Sequence, residues 1–130
     1  MISLVLPYWC RQAQTERSLR LMAAHYGYLN LEIIVVDDGS PEAFIAPDLP
    51  ELTVKVVRLA EKKFQLNPCV PYNAGVAAAN GGVIALSSPE ILHTEPILGA
   101  MLAELQAGGE NSYVIAACWS AEQSRWHCHA

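Results

Sequence analysis

Two adjacent acids, Asp37 and Asp38, are the residues of this sequence best placed to do chemistry. They follow a β-branched run, 33–36, which is typical of a strand buried on both faces of a parallel sheet. Because acids do not belong inside such a sheet, we expect both at its carboxyl edge, where open α/β sheets bind ligands. Two interpretations stay open: a ligand-binding acid pair, or a turn at Gly39 in which one aspartate caps the backbone.

The elements that must position these acids alternate along the chain. The predicted strands are 2–6 (stopped by Pro7), 33–36, 52–59, 83–86 and 113–117. Three helices are predicted. The first carries an apolar stripe of Leu19, Met22, Ala23 and Tyr26 and ends at Gly27; the second is a small-residue segment at 72–79 that follows an irregular loop. The third begins after Thr94, which can cap it. Alternating strands and helices predict an α/β fold, a three-layer sandwich with a mostly parallel sheet.

Composition narrows the class of protein. A chain of 130 residues is one domain's worth, so we expect a single domain over 1–130. It is 52% hydrophobic and 16% charged, and this apolar surplus predicts a homo-oligomer that covers an exposed face. The net charge of −5 argues against nucleic acid or an anionic membrane surface as the main partner. No apolar run approaches the roughly 18 residues that a transmembrane helix needs.

Cysteine usage and the N-terminus predict the compartment. The four cysteines have no paired spacing, which indicates free thiols in a reducing compartment, so we expect a cytoplasmic protein. The first residues, 1–4, lack the basic region of a signal peptide and resemble the start of a strand.

Two common nucleotide-binding motifs are absent from the sequence. No Gly-x-Gly-x-x-Gly follows the first predicted strand, and no Gly-Lys-Ser/Thr occurs, which excludes a P-loop. A flavodoxin-like enzyme would need a phosphate-binding Ser/Thr/Gly loop after that strand, and Pro7-Tyr8-Trp9 does not supply one.

Three segments together carry a family resemblance. They are Leu-Val-Leu-Pro-Tyr at 4–8, Leu-Glu-Ile-Ile-Val-Val-Asp-Asp-Gly-Ser at 31–40, and Asn-Ala-Gly at 73–75. In order, spacing and strand context the sequence resembles a family 2 glycosyltransferase of GT-A fold, across roughly residues 2 to 100. The resemblance implies that the chain binds a nucleotide-sugar donor, most simply a UDP-sugar, for an inverting transfer to an acceptor that the sequence does not identify.

The resemblance also implies a set of donor-binding residues. Pro7 and Tyr8 match residues that line the base pocket, and the acid pair is similar to one that contacts uracil and ribose. The remaining implied donor-binding residues are Arg11, Asn73 and Gly75. A carboxylate that accepts from a base N–H or a ribose hydroxyl makes a charge-assisted hydrogen bond, which suits the acid pair. Arg11 and Arg58 are available for the phosphates, although a solvated surface role fits either one alone.

The sequence departs from the family where a metal is expected. The family's Asp-x-Asp, which holds Mn²⁺ or Mg²⁺ on the diphosphate, should follow the fourth strand, but the residues there are Ser-Ser-Pro-Glu at 87–90. Only Glu90, with His93 beside it, remains as a candidate metal ligand, and hard cations prefer more carboxylate oxygens. The divalent metal implied by the family is therefore poorly supported by these residues.

The second departure is length, because family members run well past 200 residues and draw the catalytic base and acceptor site from their later part. We therefore expect the donor-binding portion without the acceptor half, inactive as this short chain. The alternative is a non-catalytic nucleotide-binding or protein-interaction module derived from the same fold. A zinc site at 127–129 is disfavoured, since sequence neighbours rarely ligate one metal without a second pair.

Overall fold

A computed structural model describes residues 1–60 and 67–120, together with the backbone of residues 125–128. These residues form two compact units, Met1–Leu92 and His93–Ala130, which are described one at a time. The single domain expected over the whole chain stays a prediction. No helix in the described ranges is long and apolar enough to cross a bilayer.

The first unit is built on a four-stranded sheet. Its elements in chain order are β1 (Ile2–Tyr8), α1 (Gln12–Tyr26), β2 (Leu31–Asp37), β3 (Thr53–Arg58), α2 (Cys69–Ala77) and β4 (Val83–Leu86). The strand order is β3-β2-β1-β4, and all neighbours are parallel. This confirms the predicted α/β fold class with a parallel sheet. Strand β3 lies at one edge of the sheet and β4 at the other.

Strand β1 continues through Pro7, where the sequence predicted that it would stop. Backbone groups alternate sides along a strand: the carbonyl of Val5 accepts from Ser87 on the β4 side, and that of Tyr8 accepts from Asp38 on the β2 side. The nitrogen of Pro7 therefore faces the β4 side, but β4 ends at Leu86, the register partner of Val5. The missing N–H of proline removes no sheet hydrogen bond there, so β1 can run on to Tyr8.

The two helices of the first unit lie on opposite faces of the sheet. The β1–α1–β2 and β3–α2–β4 connections cross the sheet in opposite directions, and right-handed crossovers then place their helices on opposite sides. The predicted stripe of α1 is confirmed, because Leu19, Met22 and Tyr26 are fully buried. The other face holds a core of Val5, Ile34 and Val36, against which α2 packs.

Helix α2 begins at Cys69, three residues before its predicted start at Tyr72. The sequence placed Pro71 in a loop, but a proline in the first turn of a helix costs little because the N–H groups there have no partner within the helix. Gly75 faces the sheet from this helix. A Cβ at Gly75 would collide with Val5 and lie 3.0 Å from Val36, so glycine lets the helix approach the sheet closely.

An acid is buried inside the sheet at its amino edge, which the sequence argument did not foresee. Glu32 is only 5% exposed. It accepts from the hydroxyl of Ser3 (2.5 Å) and from the backbone N–H (2.6 Å) and side-chain amide (3.0 Å) of Asn80. Led by the Ser3 bond, these donors lower the pKa of Glu32 from 4.5 to about 2. The charge is stable in the sheet because its oxygens are satisfied.

The second unit contains α3 (Ile97–Ala107) and an antiparallel pair, β5 (Cys118–Ser120) with β6 (Arg125–Cys128). Gly108 follows the last residue of α3. Thr94, the predicted cap, makes no capping hydrogen bond, and Pro96 occupies the cap position. The predicted fifth strand at 113–117 is wrong, and its Tyr113 is 81% exposed. The continuous apolar run there resembled a strand, although no partner strand pairs with it in the described chain.

Candidate functional site at the carboxyl edge of the sheet

The candidate site lies where the ends of three parallel strands meet. The chain leaves β1 toward β2 on one side, while β4 lies on the other side of β1, so the strand order reverses between β1 and β4. In open α/β sheets such a reversal opens a crevice outside the carboxyl ends of the strands. Three segments reach this edge: 9–11 after β1, 38–46 after β2 and 87–90 after β4.

Asp37, the last residue of β2, organises the turn that follows it. Its carboxylate is fully buried and accepts from the backbone N–H of Ser40 at 2.8 Å and of Phe44 at 3.0 Å. Arg58, its register partner on β3, lies 3.6 Å away and donates to the carbonyl of Ser40 at 2.8 Å. The turn interpretation of the acid pair therefore describes Asp37, whose oxygens are occupied by the protein itself.

The loop after β2 is fastened to the segment after β1. The backbone N–H of Cys10 donates to the hydroxyl of Ser40 at 3.1 Å. The side-chain amide of Gln12 pairs with the backbone of Ile45 in both directions, at 2.7 Å and 3.2 Å. These bonds hold two of the three segments of the site in a fixed relation before any ligand arrives.

Asp38 is the member of the pair that lies beyond the last residue of β2, at the carboxyl edge of the sheet. It comes directly after β2 and is half-buried, and its backbone N–H donates to the carbonyl of Tyr8 at 3.0 Å. Since Tyr8 and Asp37 are register partners, Asp38 begins beside the segment after β1. The structure thus brings Asp38 together with Pro7 and Tyr8, as the sequence predicted.

Tyr8 and Trp9 differ sharply in exposure. Tyr8 is 3% exposed, and its ring packs against Phe44 with centroids 4.8 Å apart. Burial, and then the charge of Asp37, raise the pKa of Tyr8, so its hydroxyl stays neutral at ordinary pH. Trp9 is 49% exposed. The accessible aromatic surface at this edge therefore belongs to Trp9, whereas the sequence prediction named Tyr8.

Arg11 and Glu90 form an ion pair across the switch point. Nε of Arg11 lies 2.8 Å from Oε1 of Glu90, and both side chains are partly exposed. The hydroxyl of Ser88 donates to the other oxygen of Glu90. The pair joins the segment after β1 to the segment after β4, and it places the predicted phosphate contact beside the predicted metal ligand.

The residues present do not make a site for Mn²⁺ or Mg²⁺. Both oxygens of Glu90 are engaged by Arg11 and Ser88. Within the described residues no three His, Cys, Asp or Glu side chains are grouped so that they could hold a metal ion. His93 belongs to the second unit and is buried. The candidate zinc residues at 127–129 lie outside the residues whose side chains are described.

Helix α2 places its two candidate residues differently. Asn73 is exposed, while Gly75 is buried against Val5, a position that packing alone explains. The hydroxyl of Tyr72 donates to the carbonyl of Ser87 at 3.1 Å and so ties α2 to the segment after β4. Burial, and then the charge of Glu90, raise the pKa of Tyr72.

Sequence reasoning missed two residues that shape this edge. Phe44 is buried although it lies in a loop rich in prolines, and a single aromatic residue in such a loop indicates a side chain that holds the loop against the rest of the protein. Trp9 follows Tyr8 directly and is the first residue beyond the end of β1, where the chain leaves the sheet. Once Tyr8 is assigned to the core, Trp9 is the residue that remains for solvent or ligand.

Comparisons with known proteins agree with this architecture. The family model described as Glycosyl transferase family 2 matches residues 3–129. No curated protein matches the sequence. The crystal structure of S. aureus TarS 1-349 superimposes with a TM-score of 0.67 at 18% identity, and covers 88% of this chain and 38% of that one. A second crystal structure, of S. aureus TarS, gives 0.65 at 17%, with 88% and 23% covered. The present chain therefore spans well under half of either structure, and the likeness shows the shared fold.

Proposed function

Because the chain belongs to glycosyl transferase family 2, we propose that it binds a nucleoside diphosphate sugar, with uridine as the nucleoside, at the carboxyl edge of β1, β2 and β4. One observation carries the proposal: exposed Trp9 and half-buried Asp38 directly follow a register pair, Tyr8 and Asp37, on neighbouring strands, next to the crevice where the strand order reverses. An aromatic face beside a carboxylate suits a nucleoside, which has a flat base and a ribose with hydroxyl donors.

Each residue then has a distinct task. The indole of Trp9 stacks on the uracil ring, and Asp38 accepts hydrogen bonds from the base N–H or the ribose hydroxyls. Tyr8 and Asp37 support these two residues from within the protein. Tyr8 packs on Phe44, and Asp37 fixes the turn that follows Asp38. Pro7 and Asn73 remain in the proposed donor site, the first beside Tyr8 on β1 and the second exposed on α2.

We propose further that this chain binds the donor without transferring the sugar. An inverting transfer needs a carboxylate that deprotonates the acceptor hydroxyl. The three strand-end acids have other tasks: Asp37 holds the turn, Asp38 is assigned to the nucleoside and Glu90 pairs with Arg11. A non-catalytic nucleotide-binding module is the second candidate function. Detectable turnover of a UDP-sugar by the isolated chain would contradict both this candidate and the proposed lack of transfer.

Two further properties belong to the same proposal. The thiols of Cys10 and Cys69 are free and exposed, which suits a reducing compartment such as the cytoplasm. Ile84 and Leu86 point to one face of the edge strand β4 and are 39% and 57% exposed. We propose that this apolar surface is covered by a second copy of the chain.

The stacking residue gives a direct test of the donor site. Trp9→Ala should weaken UDP binding about tenfold or more, because stacking of one base on an aromatic ring contributes about 1–3 kcal/mol. Trp119→Ala is the matched control, since Trp119 is equally exposed, at 53%, but lies on β5. Isothermal titration calorimetry of the three proteins measures the effect. Equal UDP affinity of wild type and Trp9→Ala would refute the proposed base site.

A further inference from the structure

We infer that the diphosphate of the donor is bound by Arg11, that Glu90 orients Arg11 for this task, and that the binding needs no divalent cation. The inference deepens the proposed function and rests on it. It starts from the ion pair at the switch point, which occupies the position where the family resemblance would place a metal ligand.

The geometry of the pair leaves the phosphate-binding edge of Arg11 open. A guanidinium carries five N–H donors, and the bond to Glu90 is made through Nε. The two Nη groups make no hydrogen bond to any residue in the described ranges. The Arg11 side chain is 54% exposed. A planar group held along one edge presents the remaining edge to two phosphate oxygens at once.

Glu90 is fixed on both of its oxygens. Oε1 faces Arg11, and Oε2 accepts from the hydroxyl of Ser88 within the same short segment. A cation at this carboxylate would have to displace Arg11 and would find no further acid grouped with Glu90 in the described part of the chain. An exposed ion pair adds little to stability, so its consequence here is the orientation of Arg11.

The start of α1 supplies positive potential at the same place. Arg11 directly precedes α1, whose first turn contains no acid and receives no side-chain cap. Uncapped N–H groups at a helix start favour an anion, and they add to the charge of Arg11. Arg58, the other arginine near this edge, is committed to Asp37 and to the carbonyl of Ser40. Of these two arginines, Arg11 is therefore the one available to phosphates.

The first experiment separates the cation from the arginine. UDP and uridine are titrated into the wild-type protein by calorimetry, once in excess EDTA and once with Mn²⁺. We expect UDP to bind with the same affinity, within about twofold, in both buffers, and more tightly than uridine. UDP binding that appears only with Mn²⁺ would overturn the inference and leave the proposed function standing. No UDP binding in either buffer would overturn both.

Variants then test the two residues. Arg11→Gln should lower the UDP affinity roughly ten- to a hundredfold and leave uridine binding unchanged, because it removes a charged hydrogen-bond donor to phosphate. Arg20→Gln is the control, since Arg20 is exposed on α1 away from its N-terminus. An equal effect of both substitutions would show that the loss reflects net charge only and would contradict the role of Arg11.

The role of Glu90 requires a rescue by its conservative variant. Glu90→Ala releases Arg11, which must then be ordered on binding, so we expect UDP affinity to fall roughly two- to tenfold. Glu90→Gln keeps an oxygen that accepts from Nε and removes a negative charge near the diphosphate, so it should bind UDP at least as tightly as wild type. Tighter binding by Glu90→Ala than by Glu90→Gln would mean that Glu90 competes for Arg11 and does not position it.

Discussion

The two neighbouring acids at the end of β2 have different surroundings, and the difference divides their roles. Asp37 is fully buried and accepts from two backbone N–H groups of its own loop. Asp38 is half-buried and lies at the crevice. The sequence could place both acids at the sheet edge. It could not tell them apart, because the path of the loop from Ser40 to Phe44 decides which carboxylate receives the backbone donors.

This division predicts that Asp37 contributes to stability. In Asp37→Asn the amide can still accept one backbone N–H, but its NH₂ group faces the second N–H donor, and Arg58 keeps its bond to the carbonyl of Ser40 but loses its charged partner. We expect a loss of about 1–3 kcal/mol in the free energy of unfolding, measured by urea denaturation. Asp48→Asn, in an exposed part of the same loop, should change stability by less than about 0.5 kcal/mol. Equal stability of the two variants would contradict this role of Asp37.

Glu32 makes stability depend on acid pH. Its folded-state pKa is about 2, below the ordinary 4.5, so between these values the unfolded chain binds more protons and stability rises with pH. The contribution of Glu32 is fully present above about pH 4.5 and is lost as the pH falls toward 2. Glu32→Gln should therefore cost about 1–3 kcal/mol at neutral pH, and the cost should shrink at pH values near 2.

Urea denaturation of wild type and Glu32→Gln at neutral and acid pH measures this dependence. Glu104→Gln, an exposed carboxylate on α3, serves as the control and should cost little at either pH. A cost of Glu32→Gln that is the same at both pH values would show that the charge of Glu32 does not stabilise the fold.

At the scale of elements, the contact between α2 and the sheet depends on one missing side chain. Gly75→Ala would drive a Cβ into Val5, and we expect about 1–3 kcal/mol of destabilisation despite the better helix propensity of alanine. Gly82→Ala is the matched control, because nothing lies within 4 Å of its added Cβ. In a Val5→Ala background the cost of Gly75→Ala should fall, since the space is then available. Thermal unfolding of the four variants tests this, and additive costs would contradict the contact.

The same elements show how far the sequence predicts the fold. Helical spacing of apolar residues identified α1, which buries that stripe, and short apolar or β-branched runs identified the four parallel strands. The prediction failed for 113–117, where a continuous apolar run finds no partner strand in the described chain. It also failed at Pro7 and Pro71, since a proline interrupts an element only where its N–H would have had an acceptor.

At the scale of the whole molecule, the exposed apolar face of β4 predicts self-association. We expect a homodimer or higher oligomer in sedimentation velocity, shifted toward monomer by Leu86→Lys. Tyr28→Lys is the control, because Tyr28 is 72% exposed but lies at the opposite end of α1 from the site, outside β4. A monomer at high protein concentration would contradict the proposed association.

The measurement that tests the central proposal most directly is UDP binding to wild type and Asp38→Ala by isothermal titration calorimetry, with Asp48→Ala as control. If Asp38 binds the nucleoside, its loss removes a charged hydrogen-bond partner and should weaken UDP binding roughly ten- to a hundredfold, while Asp48→Ala binds like wild type. Equal UDP affinity of wild type and Asp38→Ala would mean that both acids serve only the turn, and would contradict a donor site at this edge of the sheet.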